Sequence, residues 1–390
     1  MLDKKFINLE ILKAINEVFK RLNILRRWTS VTTDDKYNEL AKQALNCITA
    51  YMLASFTEGN GNIINWERFP KIALYRAFQK VYVYFDTPEH IIDEICAIGN
   101  INKDAFNKAT MDIIKELTND DFSEFLSEGL GTDEMEIYRA ATKIATLVEL
   151  EENSSLMKNS GEYRDKYTEI QRSLEKFNHI PGVAEFSDPS GEFFKLLLKI
   201  SKLRNQNRWA VQSYTVNCSV LGHLFDTGIL AYFIGLEHFN GDEKIAAKMF
   251  HMGIFHDLAE VWTSDVPSPI KDRISGFRAA TEKYESMVLQ RYFYNNVPPF
   301  MADKLRLVMF EEEANSSFHN IMKAADYLSA DSECWRQYVS GSRDLYFLSP
   351  GITGYDDKLT SGKLFLPPIC KMLHDYFLKY SLKVMSQFEI

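Results

Sequence analysis

Apolar residues recur along most of this chain every three to four positions, the spacing of amphipathic helices rather than the alternation of strands. Leu12, Ile15, Phe19, Leu22 and Ile24 predict a helix over 8–28, and a second follows over 36–56. Gly59-Asn60-Gly61-Asn62 makes a turn, and a helix over 134–151 closes the first half. The polar stretch 152–191 has Asn-Ser clusters, Pro181, Pro189 and Gly191, and reads as a linker with a helix at 161–177. Met249–Phe255 reads as a buried helix. The amphipathic segment 283–294 is broken at Pro298-Pro299, and 300–314 leads on to a helix that carries Asp326 and continues through Arg336. After a loop-rich 346–365, a final helix over 368–388 places Leu373, Phe377, Tyr380 and Leu382 on or near one face. Tyr82-Val83-Tyr84-Phe85 is the one short strand-like stretch, so the expected fold class is all-α.

The two halves repeat one another. Leu196, Ile200, Leu203 and Trp209 pair with Ile15, Phe19, Leu22 and Trp28 at an offset of 181. Met252–Phe255 pairs with Ile72–Tyr75 at 180, Asp265-Val266-Pro267 with Asp86-Thr87-Pro88 at 179, and Ala324-Ala325-Asp326 with Ala140-Ala141-Thr142 at 184. A tandem duplication of one helical domain is the expectation, with residues 1–152 and 191–390 as the copies and 153–190 between them.

Composition narrows the function classes. The chain has 390 residues, 46% hydrophobic and 25% charged, as in ordinary globular proteins. A net charge of −9 argues against a surface that tracks nucleic-acid phosphates. The five cysteines are scattered without a C-x-x-C pair, which suits reduced thiols in a cytoplasmic protein. Cys218, close to His223, is expected to be a small buried residue rather than a nucleophile. Met1–Phe6 is followed by no long apolar run, so no secretory signal is expected, and no apolar run is expected to reach the length that spans a bilayer.

The chemistry concentrates between Cys218 and Lys271, with Asp326 further on. His223, then His256-Asp257, then Asp326 make a mixed nitrogen and oxygen ligand set that suits one borderline divalent ion such as Mn, Fe, Co, Ni or Zn. Glu260 lies one helical turn after His256, placed to act as general acid or base on a catalytic water. His238, His251, His319 and His374 lack matching partners and are expected to be structural or surface residues.

This order of residues resembles the HD-domain metal-dependent phosphohydrolases, and within them the 5'-deoxynucleotidase branch, over about Phe193–Arg343. The resemblance is carried by Arg208-Trp209, the Ser219-Val220-Leu221-Gly222-His223 start, His256-Asp257-Leu258-Ala259-Glu260, Asp265-Val266-Pro267-Ser268-Pro269-Ile270-Lys271, and the Lys323-Ala324-Ala325-Asp326 helix. It implies His223, His256, Asp257 and Asp326 as metal ligands and Glu260 as the residue serving the water. Asp265 and Arg208-Trp209 would line the sugar and phosphate pocket, with Glu311 on its rim. Lys271 and Arg208 are the candidate phosphate cations, and Trp209 would sense the sugar's 2' position. One departure stands out: Gly222 precedes His223 where the family usually has Glu.

In the register above, His223, His256, Asp257, Glu260 and Asp326 become Gln43, Arg76, Ala77, Lys80 and Thr142, so the first half is expected to be an HD-type copy without metal ligands. Family relatives form dimers by resemblance, and the fused halves would reproduce that pairing as an intramolecular pseudo-dimer, itself able to oligomerise further. The expected activity is removal of the 5'-phosphate from deoxynucleoside monophosphates, with a small nucleotide as partner and neither nucleic acid nor membrane. The alternatives are a deoxynucleoside triphosphate hydrolase or phosphodiesterase, and, in another class, a nucleotide sensor; retention of Glu260 weighs against the last.

Overall fold

The computed structural model describes residues 7–29, 37–157, 161–209, 214–266, 268–309, 317–342 and 367–385. Among these residues the chain is helical and no strand occurs; extended pairing is confined to two isolated bridges. Tyr82–Tyr84, strand-like in sequence, falls within a π-helical turn, Lys80–Tyr84, that prolongs the helix Arg68–Gln79. It has no neighbouring strand to pair with, and of that turn only Val81 is buried.

Each half is built on one long buried helix, Glu39–Gly59 in the first and Val220–His238 in the second. Both are capped by a side chain that relieves an unpaired backbone N–H. Asn38 Oδ1 accepts from the Ala41 N–H at 2.9 Å, and Ser219 Oγ accepts from the Gly222 N–H at 3.1 Å. Val220–His238 is buried on nearly every side, with apolar residues all around it and Asp226 held by Arg336. By length and composition it could cross a membrane, contrary to the sequence expectation, but 94% of its most apolar window is packed inside the protein.

The helix Glu243–Phe255 crosses Val220–His238 at Gly228 and Gly253. A Cβ on Gly253 would come within 2.6 Å of the Gly228 Cα, so the backbones approach as closely as they do only because neither residue has a side chain. This crossing matters for function, because His223 lies at the start of one helix and His256 at the end of the other.

The halves share one continuous core. Phe19 meets Phe225 edge-on at 5.9 Å, the rings of Tyr51, Trp66 and Phe69 surround His251, and Lys71 pairs with Glu243 at 2.6 Å. The stretch 153–190 is not extended: Gly161–Glu175 is helical, and Phe177, Ile180, Val183 and Phe186 are buried.

Local features recur at the sequence offset. The bridges join Arg26 to Asn38 and Asn207 to Ser219, each 181 positions on. Trp28 and Trp209 both adopt φ 60°, a left-handed conformation rare for a bulky residue. Phe85 and Ser264, 179 apart, have positive φ as well. The helix starts shift the register read from sequence by one residue. With caps at Asn38 and Ser219, it is Lys42, not Gln43, that stands where His223 stands.

Candidate metal and phosphate site

Four side chains from three helices converge. His223 is one turn into Val220–His238, His256 and Asp257 follow the end of Glu243–Phe255, and Asp326 lies within Ser317–Val339. His223 Nε2 is 3.1 Å from Asp326 Oδ1 and 3.8 Å from Asp257 Oδ2, and His256 Nε2 is 3.1 Å from Asp257 Oδ2. Donors bound to one ion at about 2.1 Å and at right angles stand roughly 3 Å apart, so these separations suit a shared divalent ion. The ligand atoms of His223, His256 and Asp257 lie within 4.8 Å of one another. Both histidines are buried while the two carboxylates remain about a quarter exposed, so the cluster opens on its carboxylate side.

The His256 tautomer is prepared for a metal. His256 Nδ1 donates to the Gly253 carbonyl at 2.8 Å, which leaves the lone pair of the neutral ring on Nε2. That Nε2 is buried and has no hydrogen-bond partner, an orphaned acceptor aimed into the cluster. His223 turns Nδ1 to Ser329 Oγ at 2.9 Å and to Glu333 Oε1 at 3.5 Å, and keeps Nε2 toward the carboxylates. Burial and Arg208 pull the His223 pKa down, but hydrogen bonds to Asp326 and Glu333 outweigh them and hold it near about 9. Burial raises the Asp257 and Asp326 carboxyls, but the facing imidazoles overcome it and hold both below the usual carboxylate range. The residues fit a divalent cation.

Glu260 opens the short helix Glu260–Thr263 beside this cluster. It is 8% exposed, and its Oε2 has no hydrogen-bond partner. Burial, followed by the charges of Asp257 and Asp265, raises its pKa well above the ordinary value, the direction expected of a general acid.

The remaining sequence candidates fall into place unevenly. Arg208 donates Nε to Glu333 Oε2 at 3.1 Å and brings Nη1 to 3.9 Å from Asp257. The Trp209 indole N–H donates to the same Glu333 oxygen at 2.8 Å, which ties the ring to a buried anchor. Asp265 is exposed, just beyond the left-handed Ser264. Lys271 is 3.7 Å from Glu285. Glu311 lies outside the described residues. Cys218 is buried, and burial pushes its thiol up to about 12, so it is no nucleophile.

Three residues were given no role of their own from sequence. Ser329 and Glu333 hold the outer nitrogen of His223 and follow Asp326 on the same helical face, a periodicity that could have revealed them. Lys323 is half-buried: burial lowers its pKa, but Asp326 and Asp257 outweigh that and raise it. A Cβ at Gly222 would sit 3.3 Å from a Leu40 methyl of the first half, so a side chain there would need Leu40 to give way by a few tenths of an ångström.

With this geometry in hand, residues 192–349 match a family model described as 5'-deoxynucleotidase YfbR-like. The segment is a YfbR-like domain of the HD type. The 5'-deoxynucleotidase of an Enterobacter species is 24% identical over 151 residues, covering 37% of this chain and 73% of that protein. The 5'-deoxynucleotidase of Shewanella oneidensis is 24% identical over 152 residues, 38% of this chain and 77% of its own. The Photorhabdus temperata 5'-deoxynucleotidase is 23% identical over 148 residues, 37% and 74% respectively. The YfbR-like domain contains every residue of the His/Asp cluster; the first 191 residues lie outside the match.

Proposed function

We propose that the chain is a metal-dependent 5'-deoxynucleotidase that hydrolyses the phosphate monoester of deoxynucleoside 5'-monophosphates. The observation that carries this is the convergence of His223, His256, Asp257 and Asp326 with an unpartnered His256 Nε2, inside a domain similar to proteins of that activity. These four residues would hold one divalent ion. Such an ion supplies Lewis acidity, easing deprotonation of water and offsetting charge on the phosphoryl group. Glu260 presents Oε2 as the atom that takes a proton from the attacking water or returns one to the leaving 5'-oxygen. Lys323, Lys271 and Arg208 supply positive charge on the phosphate side, which two ligand carboxylates make necessary.

The test is phosphate release from deoxy- and ribonucleoside mono- and triphosphates by metal-stripped protein given Mn, Co, Mg, Zn, Fe or Ni. The expected result is inorganic phosphate from deoxy monophosphates, abolished in Asp257→Ala and reduced by about 100- to 10,000-fold in Glu260→Gln with metal binding kept. Release of triphosphate from the triphosphates instead would make the chain a triphosphohydrolase. Turnover that survives Glu260→Gln would remove the acid–base role.

The first half we read as a copy of the same helical unit that has lost its metal ligands, joined to the second as an intramolecular pseudo-dimer. The constant offset of the two bridges, of the paired left-handed tryptophans and of the capped core helices supports this reading.

A further inference from the structure

A cavity of about 640 Å³, within the range of roughly 300–1,000 Å³ typical of small-molecule sites, is lined by residues of the first half together with residues of the following stretch, Glu169 and Arg172 among them. It lies where the metal cluster lies in the second half. Lys42 takes the position of His223 on the capped helix, and Arg76, Lys80 and Thr142 align with His256, Glu260 and Asp326; all four line the cavity. Ala77 aligns with Asp257.

The exchange reverses the sign of the site. Three carboxylates and two imidazoles are replaced by two lysines, an arginine, an alanine and a threonine. Lys42 is 1% exposed and donates to Thr146 Oγ1 at 3.0 Å and to the Thr142 carbonyl at 3.3 Å, with Glu149 3.6 Å away. Arg76 meets Glu89 only at 3.4 Å, and Glu89 is shared with Lys143 at the same distance. Glu39 is already held by Arg27 at 2.8 Å. Lys80 is half-buried and has no ion pair among the described residues. Burial is the largest influence on both lysines and lowers their pKa values, Lys42 well below its ordinary value; Glu149 and Glu39 offset it only in part, so an incoming phosphate would supply the counter-charge that the local carboxylates leave incomplete.

We propose that this cavity binds the phosphate group of a small organic phosphate of nucleotide size, without a metal and without hydrolysing it. Lys42, Arg76 and Lys80 do there what a divalent ion does in the other half, and no carboxylate stands at the position of Glu260 to serve a water. The long helices that begin at Asn38 and Ser219 pack against each other through Leu40 and Gly222, so an occupied cavity adjoins the helix that carries His223. The inference uses the pairing of the halves but not turnover by the second.

The test is isothermal titration of the full chain, stripped of metal and held in chelator, with deoxyadenosine monophosphate, inorganic phosphate and pyrophosphate, against chloride at matched ionic strength. The expected result is one phosphate-ligand site per chain, weakened about tenfold or more by Lys80→Gln and by Arg76→Gln, each checked for an unchanged thermal transition, and unaffected by Lys323→Gln. No binding of any phosphate probe, or binding that Lys323→Gln removes and Lys80→Gln does not, overturns the proposal. Phosphate release with added metal is measured separately, so failure of either reading is seen independently of the other.

Discussion

His251 offers a perturbation whose size follows from its surroundings. It is 3% exposed, and its ring lies 4.7 Å from Tyr51, 5.5 Å from Trp66 and 6.1 Å from Phe69, all in the first half. Neither ring nitrogen has a hydrogen-bond partner. Burial alone pushes its pKa down to about 3, against about 6.5 in an unfolded chain. Between those values the unfolded chain binds a proton that the native chain refuses, so stability falls as the pH drops through that window. Relative to neutral pH, the loss at about pH 5 amounts to about 2 kcal/mol. In His251→Leu no proton is taken up at this site in either state, and that loss disappears. The assay is urea unfolding followed by circular dichroism for both proteins at about pH 7.5 and about pH 5. Carboxylates titrate alike in the two proteins and cancel in the comparison. The difference in unfolding free energy should move by about 2 kcal/mol in favour of the variant at the lower pH. Equal pH dependence in both would refute the reasoning, because it would mean that the imidazole is protonated in the folded protein or reaches solvent.

Two more predictions concern the frame of the site. Gly253→Ala should force the crossing helices apart and lower stability by about 1–3 kcal/mol, read as a lower urea midpoint, and should weaken metal binding because His256 follows three residues on. Glu333→Gln should reduce metal affinity by about 10- to 100-fold, measured by competition with a chromophoric chelator, and change Trp209 emission; unchanged affinity would leave Glu333 a purely structural anchor.

Much of the site was legible from sequence because the donors chemistry requires are few and their helical spacing is regular. His223, His256, Asp257, Asp326 and Glu260 could each be named from residue type, periodicity and resemblance. Long-range pairing was not legible. Nothing local in Arg208-Trp209 says that both side chains will turn to Glu333, some 125 residues on, rather than to a substrate. Gly222 looked like a lost contact in sequence, and only the fold shows that Leu40 of the first half lies against that position. Helices were predicted well by their periodicity, whereas Tyr82–Phe85 misled because alternation over four residues cannot distinguish a strand from an irregular helix end. The membrane-length helix Val220–His238 was missed because Gly222, His223, Asp226 and Thr227 interrupt its apolar run in sequence, although in the fold Val220–Leu236 is buried throughout.

Comparison of the two halves separates architecture from chemistry. Arg27 donates Nε to Glu149 at 3.1 Å, as Arg208 does to Glu333 at 3.1 Å, and Trp28 and Trp209 send their indole N–H groups to those same carboxylates. This Arg-Trp-Glu arrangement recurs in the first half, so it serves the architecture in both halves, whatever it adds at the His/Asp cluster. Each buried carboxylate needs the guanidinium for its own solvation, because an unpaired charge at that depth would cost several kcal/mol. Arg208 is therefore occupied first as a structural cation and reaches the cluster only at 3.9 Å from Asp257. Lys323 differs. Its counterpart in the 184-residue register is Arg139, which pairs with Glu136 at 3.0 Å, whereas Lys323 has no contact ion pair among the described residues and is charged by the field of Asp326 and Asp257. A cation kept protonated by the ligand carboxylates and not committed elsewhere is the one best placed to meet a phosphate oxygen. On physical grounds Lys323 is a stronger candidate for the phosphate cation of the proposed site than the arginine that the family resemblance favours.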